Sequence, residues 1–196
     1  ICTMTRDMDS KVRIEAFTAL GKVKLVSESM LLQSLSKKIL VNCKGVKGAI
    51  AEYSKLSIKG SKCSLSSAAG AFIHGLEDEF HEVRTAASFS LGMLTVFSIP
   101  FTSGVINLLM DMLNDDAMII KMQTFKILLN ISQYDQLKVQ EIHMPMFLGM
   151  LSDINASIRH AARKVLCTIM LPNMELFKSS IHTLLTNLKT YPQLSS

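Results

Sequence analysis

The hydrophobic positions along this chain recur at the spacing of one face of an α-helix, and they do so in four copies. In each copy a β-branched residue is followed four positions later by a small residue, eight positions later by leucine and eleven positions later by another aliphatic residue. These offsets trace one side of a helix, so each copy predicts a helix with a single buried face. The four sets are Val12, Ala16, Leu20 and Val23; Val83, Ala87, Leu91 and Leu94; Ile120, Thr124, Leu128 and Ile131; and Ile158, Ala162, Leu166 and Ile169.

Each predicted helix also carries a base directly after its β-branched residue and an aspartate six positions before that base. The pairs are Asp7 and Arg13, Asp78 and Arg84, Asp115 and Lys121, and Asp153 and Arg159. An aspartate there suits an N-cap or first-turn position, because its carboxylate accepts free backbone N–H groups. We expect the aspartate of one copy to reach the base of a neighbouring copy and form a structural repeat ladder. An acidic edge that binds a basic partner is the alternative.

A second apolar helical stretch precedes each of the later copies, at 66–76, 102–113 and 145–151. These copies recur every 37 or 38 residues, an interval typical of helix-pair solenoids. No segment shows sustained strand alternation. The pattern predicts an all-α fold, a HEAT/armadillo-type α-α superhelix of antiparallel helix pairs.

The predicted domain organisation follows from the spacing of the copies. Residues 1–40 form a partial HEAT repeat plus a following helix at 30–40, and residues 41–64 form a basic insertion loop. Residues 65–171 form three HEAT repeats, and residues 172–196 supply the first helix of a further repeat. Because the chain begins at Ile1 and ends on an unpaired helix, we expect it to be a fragment of a longer protein.

Composition agrees with a packed helical protein, with 48% hydrophobic and 19% charged residues. Trp is absent and aromatic residues make up only 6%, so Leu, Ile, Met, Ala and Val are expected to form the core. The thirteen Met residues fit a core filler, and a Met-rich partner groove is the alternative. No apolar run approaches the roughly 20 residues that a bilayer requires, so membrane insertion is not expected.

The net charge of +5 is concentrated in one segment. Between Lys37 and Lys62 there are seven lysines and one acid, so the rest of the chain is close to neutral. One reading is a contact with RNA, phosphate or an acidic partner, and the other is a solvated loop. The segment has no Arg and one aromatic residue, so any RNA contact is expected to be weak. The candidate contact residues are Lys44, Lys47, Lys55, Lys59 and Lys62.

No catalytic, cofactor-binding or metal-binding motif stands out in the sequence. The acids at 77–79 occupy a repeated turn position, where capping explains them better than catalysis. The histidines are scattered, and neither a HExxH pair nor a glycine-rich phosphate or nucleophile motif occurs. The cysteines form no CxxC pair, and Cys2 and Cys167 lie in apolar contexts that predict buried thiols. We therefore expect no cofactor and no enzymatic activity.

Several longer sequence runs resemble the Integrator complex subunit 4 family, and its plant members in particular. The most specific is GAFIHGLEDEF at 70–80, followed by Val83 and Arg84. LLQSLSKK at 31–38, LLMDMLNDD at 108–116, MFLGMLSD at 146–153 and LKTYPQ at 188–193 follow in the family's order. The resemblance covers nearly all of the chain.

This resemblance implies a non-catalytic HEAT scaffold in the nucleus. Such a scaffold would hold other protein subunits, among them the endonuclease module that cleaves small nuclear RNAs and nascent transcripts. The plant members are also linked to a mobile transcription factor and its movement between cells, with a cytoplasmic or endosomal pool. The resemblance therefore implies, as the alternative, a trafficking adaptor that binds a transcription factor.

Overall fold

In a computed structural model of the chain, residues 1–38, 65–171 and 173–191 are described. The predicted insertion loop at 41–64, with its five candidate lysines and with Cys43 and Cys63, lies outside the described residues. The helices are α1 (Ser10–Gly21), α2 (Glu28–Ser34), α3 (Leu65–Ala68), α4 (Ala71–Leu76), α5 (His81–Leu94), α6 (Ile99–Met112), α7 (Met118–Ile131), α8 (Met144–Gly149), α9 (Ala156–Leu166) and α10 (Met174–Thr190).

Short 3-10 turns and one small strand pair complete the described structure. The 3-10 turns are Met4–Arg6, Thr95–Phe97, Glu141–His143 and Met150–Ser152. Strands β1 (Leu137–Lys138) and β2 (Ile169–Met170) pair in parallel, with Leu137 opposite Ile169. The strand pair joins the segments that follow α7 and α9, so it ties the ends of two successive helix pairs together. The chain is an all-α solenoid, as its hydrophobic spacing predicts.

The four helices that carry the repeated pattern stack side by side in chain order, α1 on α5, α5 on α7 and α7 on α9. We call this stack the B layer. Polar side chains bridge its helices: the Ser90 hydroxyl donates to the Phe17 carbonyl at 2.6 Å. The Gln123 amide donates to the Thr85 carbonyl at 2.9 Å. Helices α4 and α6 each precede a B-layer helix and pack against it, and the Met150–Ser152 turn that follows α8 packs against α9.

Small residues in the repeated pattern allow this close stacking. Ala16, Ala87, Thr124 and Ala162 are all buried. The aliphatic residues do not fill the core alone, however, because Phe17, Phe72, Phe101, Phe125 and Phe147 are also buried almost completely. The rings of Phe17 and Phe72 lie 5.8 Å apart between α1 and α4. The core therefore depends on phenylalanine more than the low aromatic content suggests.

Two predicted helices are shorter or broken in the structure. The stretch at 66–76 is interrupted at Gly70, whose φ of 62° is left-handed and cannot continue a right-handed helix. The Gly70 N–H donates to the Gln33 carbonyl at 3.1 Å, so a tertiary contact accompanies the break. The helix predicted at 30–40 is α2, which begins after an N-cap at Ser27 and ends at Ser34.

The predicted burial of two thiols is wrong. Cys167 is exposed and Cys2 is half-buried. Helix α9 ends at Leu166, so Cys167 occupies the C-cap and turns away from the apolar face. Across the described residues, no helix has the length and apolar content to cross a membrane.

Candidate interaction surface

A repeated turn leads into each B-layer helix, and its aspartate lies two residues before the N-cap instead of occupying it. In each turn the aspartate Oδ1 accepts the backbone N–H of the N-cap residue. The distances are 3.0 Å from Asp9 to Asp7, 3.0 Å from Phe80 to Asp78, 2.8 Å from Ala117 to Asp115 and 2.8 Å from Asn155 to Asp153. The expected cap position is therefore wrong by two residues. This hydrogen bond shapes the turn, and the remaining lone pairs of the carboxylate can accept hydrogen bonds from a basic side chain.

Arginines of the first two copies use those carboxylates to join successive repeats. Arg13 of α1 donates through Nε and Nη2 to Asp78, at 2.7 and 3.0 Å. Arg84 of α5 donates in the same way to Asp115, at 2.7 and 2.9 Å. Both pairs are largely buried, with side-chain exposures between 7% and 16%. Each is a bidentate contact, the strongest geometry available to an Arg–carboxylate pair.

The third nitrogen of each arginine holds the arginine's own turn. Arg13 Nη1 donates to the carbonyls of Asp7 and Met8 at 2.8 and 3.1 Å. Arg84 Nη1 donates to the carbonyls of Asp78 and Glu79 at 2.8 and 3.2 Å. One guanidinium thus fixes two turns, its own and that of the next repeat.

Electrostatics strengthen the buried pair of Arg84 and Asp115. Burial alone raises the pKa of Asp115, but the hydrogen bonds from Arg84 and from the Ala117 N–H outweigh it and lower the pKa below its ordinary value of 3.8. The pKa of Arg84 is raised, chiefly by the hydrogen bond to Asp115. The hydrogen bond to Asp78 likewise raises the pKa of Arg13. Both arginines stay charged across the physiological range.

The expected third contact of the ladder is absent. Among the described residues no ion pair joins Lys121 to Asp153. Lysine presents one compact ammonium and lacks the planar fork with which Arg13 and Arg84 each bond a carboxylate and two turn carbonyls. An open groove of about 590 Å³ lies there instead, lined by Asp116, Met118, Lys121, Asp153, Ile154 and Asn155 among others.

Arg159 makes the bonds to the carbonyls of its own turn, but among the described residues it has no carboxylate partner. Its Nη1 donates to the carbonyls of Asp153 and Ile154 at 2.7 and 2.8 Å. Its buried Nε has no hydrogen-bond partner among the described residues. The guanidinium lies over the Tyr191 ring, 3.8 Å from its centroid. An aromatic face therefore covers the position that a carboxylate occupies at Arg13 and Arg84.

The acids at 77–79 are largely accounted for by structural contacts. Glu77 pairs with Lys37 at 2.5 Å on the surface, and Asp78 pairs with Arg13. Within the part of the chain that the structure describes, no three His, Cys, Asp or Glu side chains lie close enough to hold a metal ion. His160 of α9 is exposed.

One surface feature is missed by reasoning from the sequence. Phe89 and Met93 lie one turn apart on α5, yet they are 57% and 52% exposed. Neither residue belongs to the repeated buried pattern, and an apolar side chain by itself does not indicate an exposed position. The available signal was the column-by-column comparison of the four copies, because the same columns are polar in the other three.

No family model matches the chain. It is 44% identical over 98% of its length to Protein SIEL of Arabidopsis thaliana. It is 31% and 30% identical, over the same share, to Integrator complex subunit 4 of Xenopus laevis and Homo sapiens. The chain spans about a fifth of the length of these curated relatives.

A crystal structure of an engineered protein has a similar fold, with a TM-score of 0.54. The match covers 93% of this chain and 66% of that one at 13% identity, so it bears on the fold alone. The family resemblance has a different basis, since the sequence similarity runs through both the ladder turns and the segments between them. By sequence, the chain belongs to the family of Integrator complex subunit 4 and Protein SIEL.

Proposed function

We propose that this chain is a section of a non-catalytic HEAT scaffold that holds protein subunits of an Integrator-type RNA-processing assembly in the nucleus. The observation that carries the proposal is similarity along 98% of the chain to proteins named as subunits of that complex. A solenoid suits this role because stacked repeats present a long continuous surface to several partners.

The geometry of the ladder supports a scaffold more than a flexible tether. Arg13 and Arg84 each lock two turns together through bonds of 2.7–3.2 Å. Rigidly joined repeats keep partner-binding sites at fixed separations, which reduces the conformational entropy lost when partners bind. The turns that Arg13 and Arg84 hold are occupied by these internal bonds, so we assign partner binding to the outer faces of the helices.

The alternative is a trafficking adaptor that binds a mobile transcription factor and promotes its movement between cells. It is favoured by one observation, the higher identity to Protein SIEL than to the animal Integrator subunits, 44% against 30–31%. The same solenoid surface would serve either role, so the partners decide between them.

The test is affinity purification of the tagged full-length protein that contains this chain, followed by mass spectrometry of its partners. We expect subunits of the RNA endonuclease module, enriched from nuclear extract. Recovery of a transcription factor with vesicle proteins, and no endonuclease subunit, would favour the trafficking adaptor over the Integrator-type scaffold. Recovery of neither group would contradict both.

A further inference from the structure

Helix α5 presents an apolar strip to solvent on the outer face of the B layer. Phe89 and Met93 are 57% and 52% exposed, and Val96, just beyond the helix, is 63% exposed. Leu25, which follows α1 at the position matching Val96, is 95% exposed. We call these four residues the apolar strip. Single exposed apolar residues are ordinary on proteins, but a contiguous group marks an interaction site.

The repeat itself shows that this strip is not required by the fold. The Phe89 and Met93 columns are exposed in every copy except at Thr18, which is half-buried, and the other three copies fill them with polar residues. The matching pairs are Thr18 and Lys22 on α1, Lys126 and Asn130 on α7, and Lys164 and Thr168 on α9. Folding and stacking therefore proceed with polar side chains at these positions, and the apolar pair on α5 serves another purpose.

Cations border the strip on both sides. Gly21 touches Ser90, where an added Cβ would lie 2.9 Å from the Ser90 hydroxyl oxygen, so Lys22 lies beside the strip on α1. Gly92 touches Ile127 in the same manner, at 2.8 Å, which places Lys126 beside the strip on α7. Both lysines are exposed.

Basic side chains outnumber acidic ones around the strip. Lys24, next to Leu25, is also exposed. Two acids lie near this end: Glu28, which accepts a hydrogen bond from the Ser98 hydroxyl at 2.8 Å, and Asp135, which follows Tyr134, whose hydroxyl contacts that of Thr95. The border is therefore cationic on balance, while the chain outside the lysine-rich segment is close to neutral.

We infer that the apolar strip docks an acidic segment of a partner protein, which inserts two large apolar side chains over Phe89 and Met93 and pairs its Asp or Glu residues with Lys22 and Lys126. Aromatic and Met side chains supply the binding energy of such contacts, and the flanking charges set orientation and speed association. The inference rests on the proposed scaffold role but not on which assembly the scaffold serves.

The experiment is a selection of random peptides, about four helical turns long, displayed on phage against the purified full chain. A variant carrying Phe89→Thr and Met93→Asn provides the counter-selection, because other copies carry these residues in the same columns and the fold tolerates them. We expect enriched peptides with paired aromatic or aliphatic residues flanked by Asp and Glu. Their affinity should fall about tenfold or more on the double variant, measured by fluorescence polarisation.

Two further variants test the chemistry of the site. Lys22→Glu with Lys126→Glu should weaken the acidic peptides by about tenfold and restore binding when the peptide acids are changed to lysine. Ile142→Thr, at a 79% exposed residue in the Glu141–His143 turn outside the B layer, should leave binding unchanged.

Three results would overturn the inference. The first is no enrichment, and the second is enriched peptides without acids or with equal affinity for the double variant. The third is a concentration-dependent dimer in analytical ultracentrifugation that Phe89→Thr abolishes, since a second copy would then occupy the strip. All three are measured on the purified chain, so they are independent of what the cellular purification recovers.

Discussion

Arg84 holds Asp115 of the next repeat with two parallel bonds of 2.7 and 2.9 Å, while its remaining nitrogen holds the carbonyls of its own turn. Arg84 therefore fixes the turn before α5 and the turn before α7 relative to each other. One repeat later the base is Lys121, and the described residues contain no matching ion pair. Among the described residues the ladder has a bidentate ion pair between the repeats of α5 and α7 and none between those of α7 and α9. We call the second contact the open edge, and we expect mutations at the two contacts to differ in their effect on stability.

Removing the charge from Asp115 should destabilise the chain far more than removing it from Asp153. Asp115→Asn keeps the acceptor for the Ala117 N–H but leaves Arg84 buried and uncompensated. We expect the free energy of unfolding to fall by about 3 kcal/mol, the lower end for breaking a buried pair. Urea denaturation with a double-mutant cycle of Asp115→Asn and Arg84→Met measures the coupling. The matched cycle of Asp153→Asn and Lys121→Met should give less than about 0.5 kcal/mol, and equal coupling energies would contradict the structure.

The pair of Arg84 and Asp115 should also make the free energy of unfolding depend on pH. The pKa of Asp115 is lower in the folded chain than its ordinary 3.8, so the folded state favours the charged form. This contribution is complete above the unfolded pKa and is lost as the pH falls through the folded pKa. The stability difference between parent and Asp115→Asn should therefore shrink as urea unfolding is repeated from about pH 6 to about pH 3. In an Arg84→Met background the dependence should largely disappear, and its persistence there would refute the assigned cause.

Substituting arginine at the open edge should complete the ladder. Lys121→Arg places a planar donor group at the position that Arg84 occupies one repeat earlier, within reach of Asp153 and of its own turn carbonyls. We expect a gain of about 1 kcal/mol in the free energy of unfolding, since the edge is partly exposed. Lys126→Arg, five residues along the same helix and fully on the surface, is the control and should change stability by much less. A gain of equal size in both variants would point to helix propensity instead of the ladder.

Gly75 of α4 packs directly against the B layer. A Cβ there would lie 2.2 Å from the Phe17 ring and 2.8 Å from the Ala87 methyl group, inside atoms that cannot move freely. Gly75→Ala should therefore lower the melting temperature and cost about 1–3 kcal/mol through overpacking. Gly149→Ala is the matched control, because nothing lies within 4 Å of an added Cβ at the end of α8. Calorimetry that finds both variants neutral would mean that α4 packs less closely than described.

Some contacts could not be predicted from the spacing of residues. The spacing predicts that Asp78 pairs with a neighbouring copy, but the choice of Arg13 in the preceding copy over Lys121 in the following one depends on which way successive turns are offset. Where the predicted helix at 66–76 breaks, the Gly70 N–H bonds the carbonyl of Gln33, a residue 37 positions earlier. Neither relationship leaves a local signal, because both partners come together only when the helices stack.

The repeated spacing of apolar, small and charged residues by itself determined that this chain is a helical solenoid, because a face with helical periodicity can be buried only against other helices. It also marked the aspartate and the base of every copy as members of one repeated structural arrangement. Only the tertiary structure decided which aspartate each arginine holds, why Lys121 leaves its edge open and why Phe89 and Met93 face solvent. Those outcomes depend on the offset between stacked helices, and sequence periodicity describes each helix without fixing how far its neighbour is shifted.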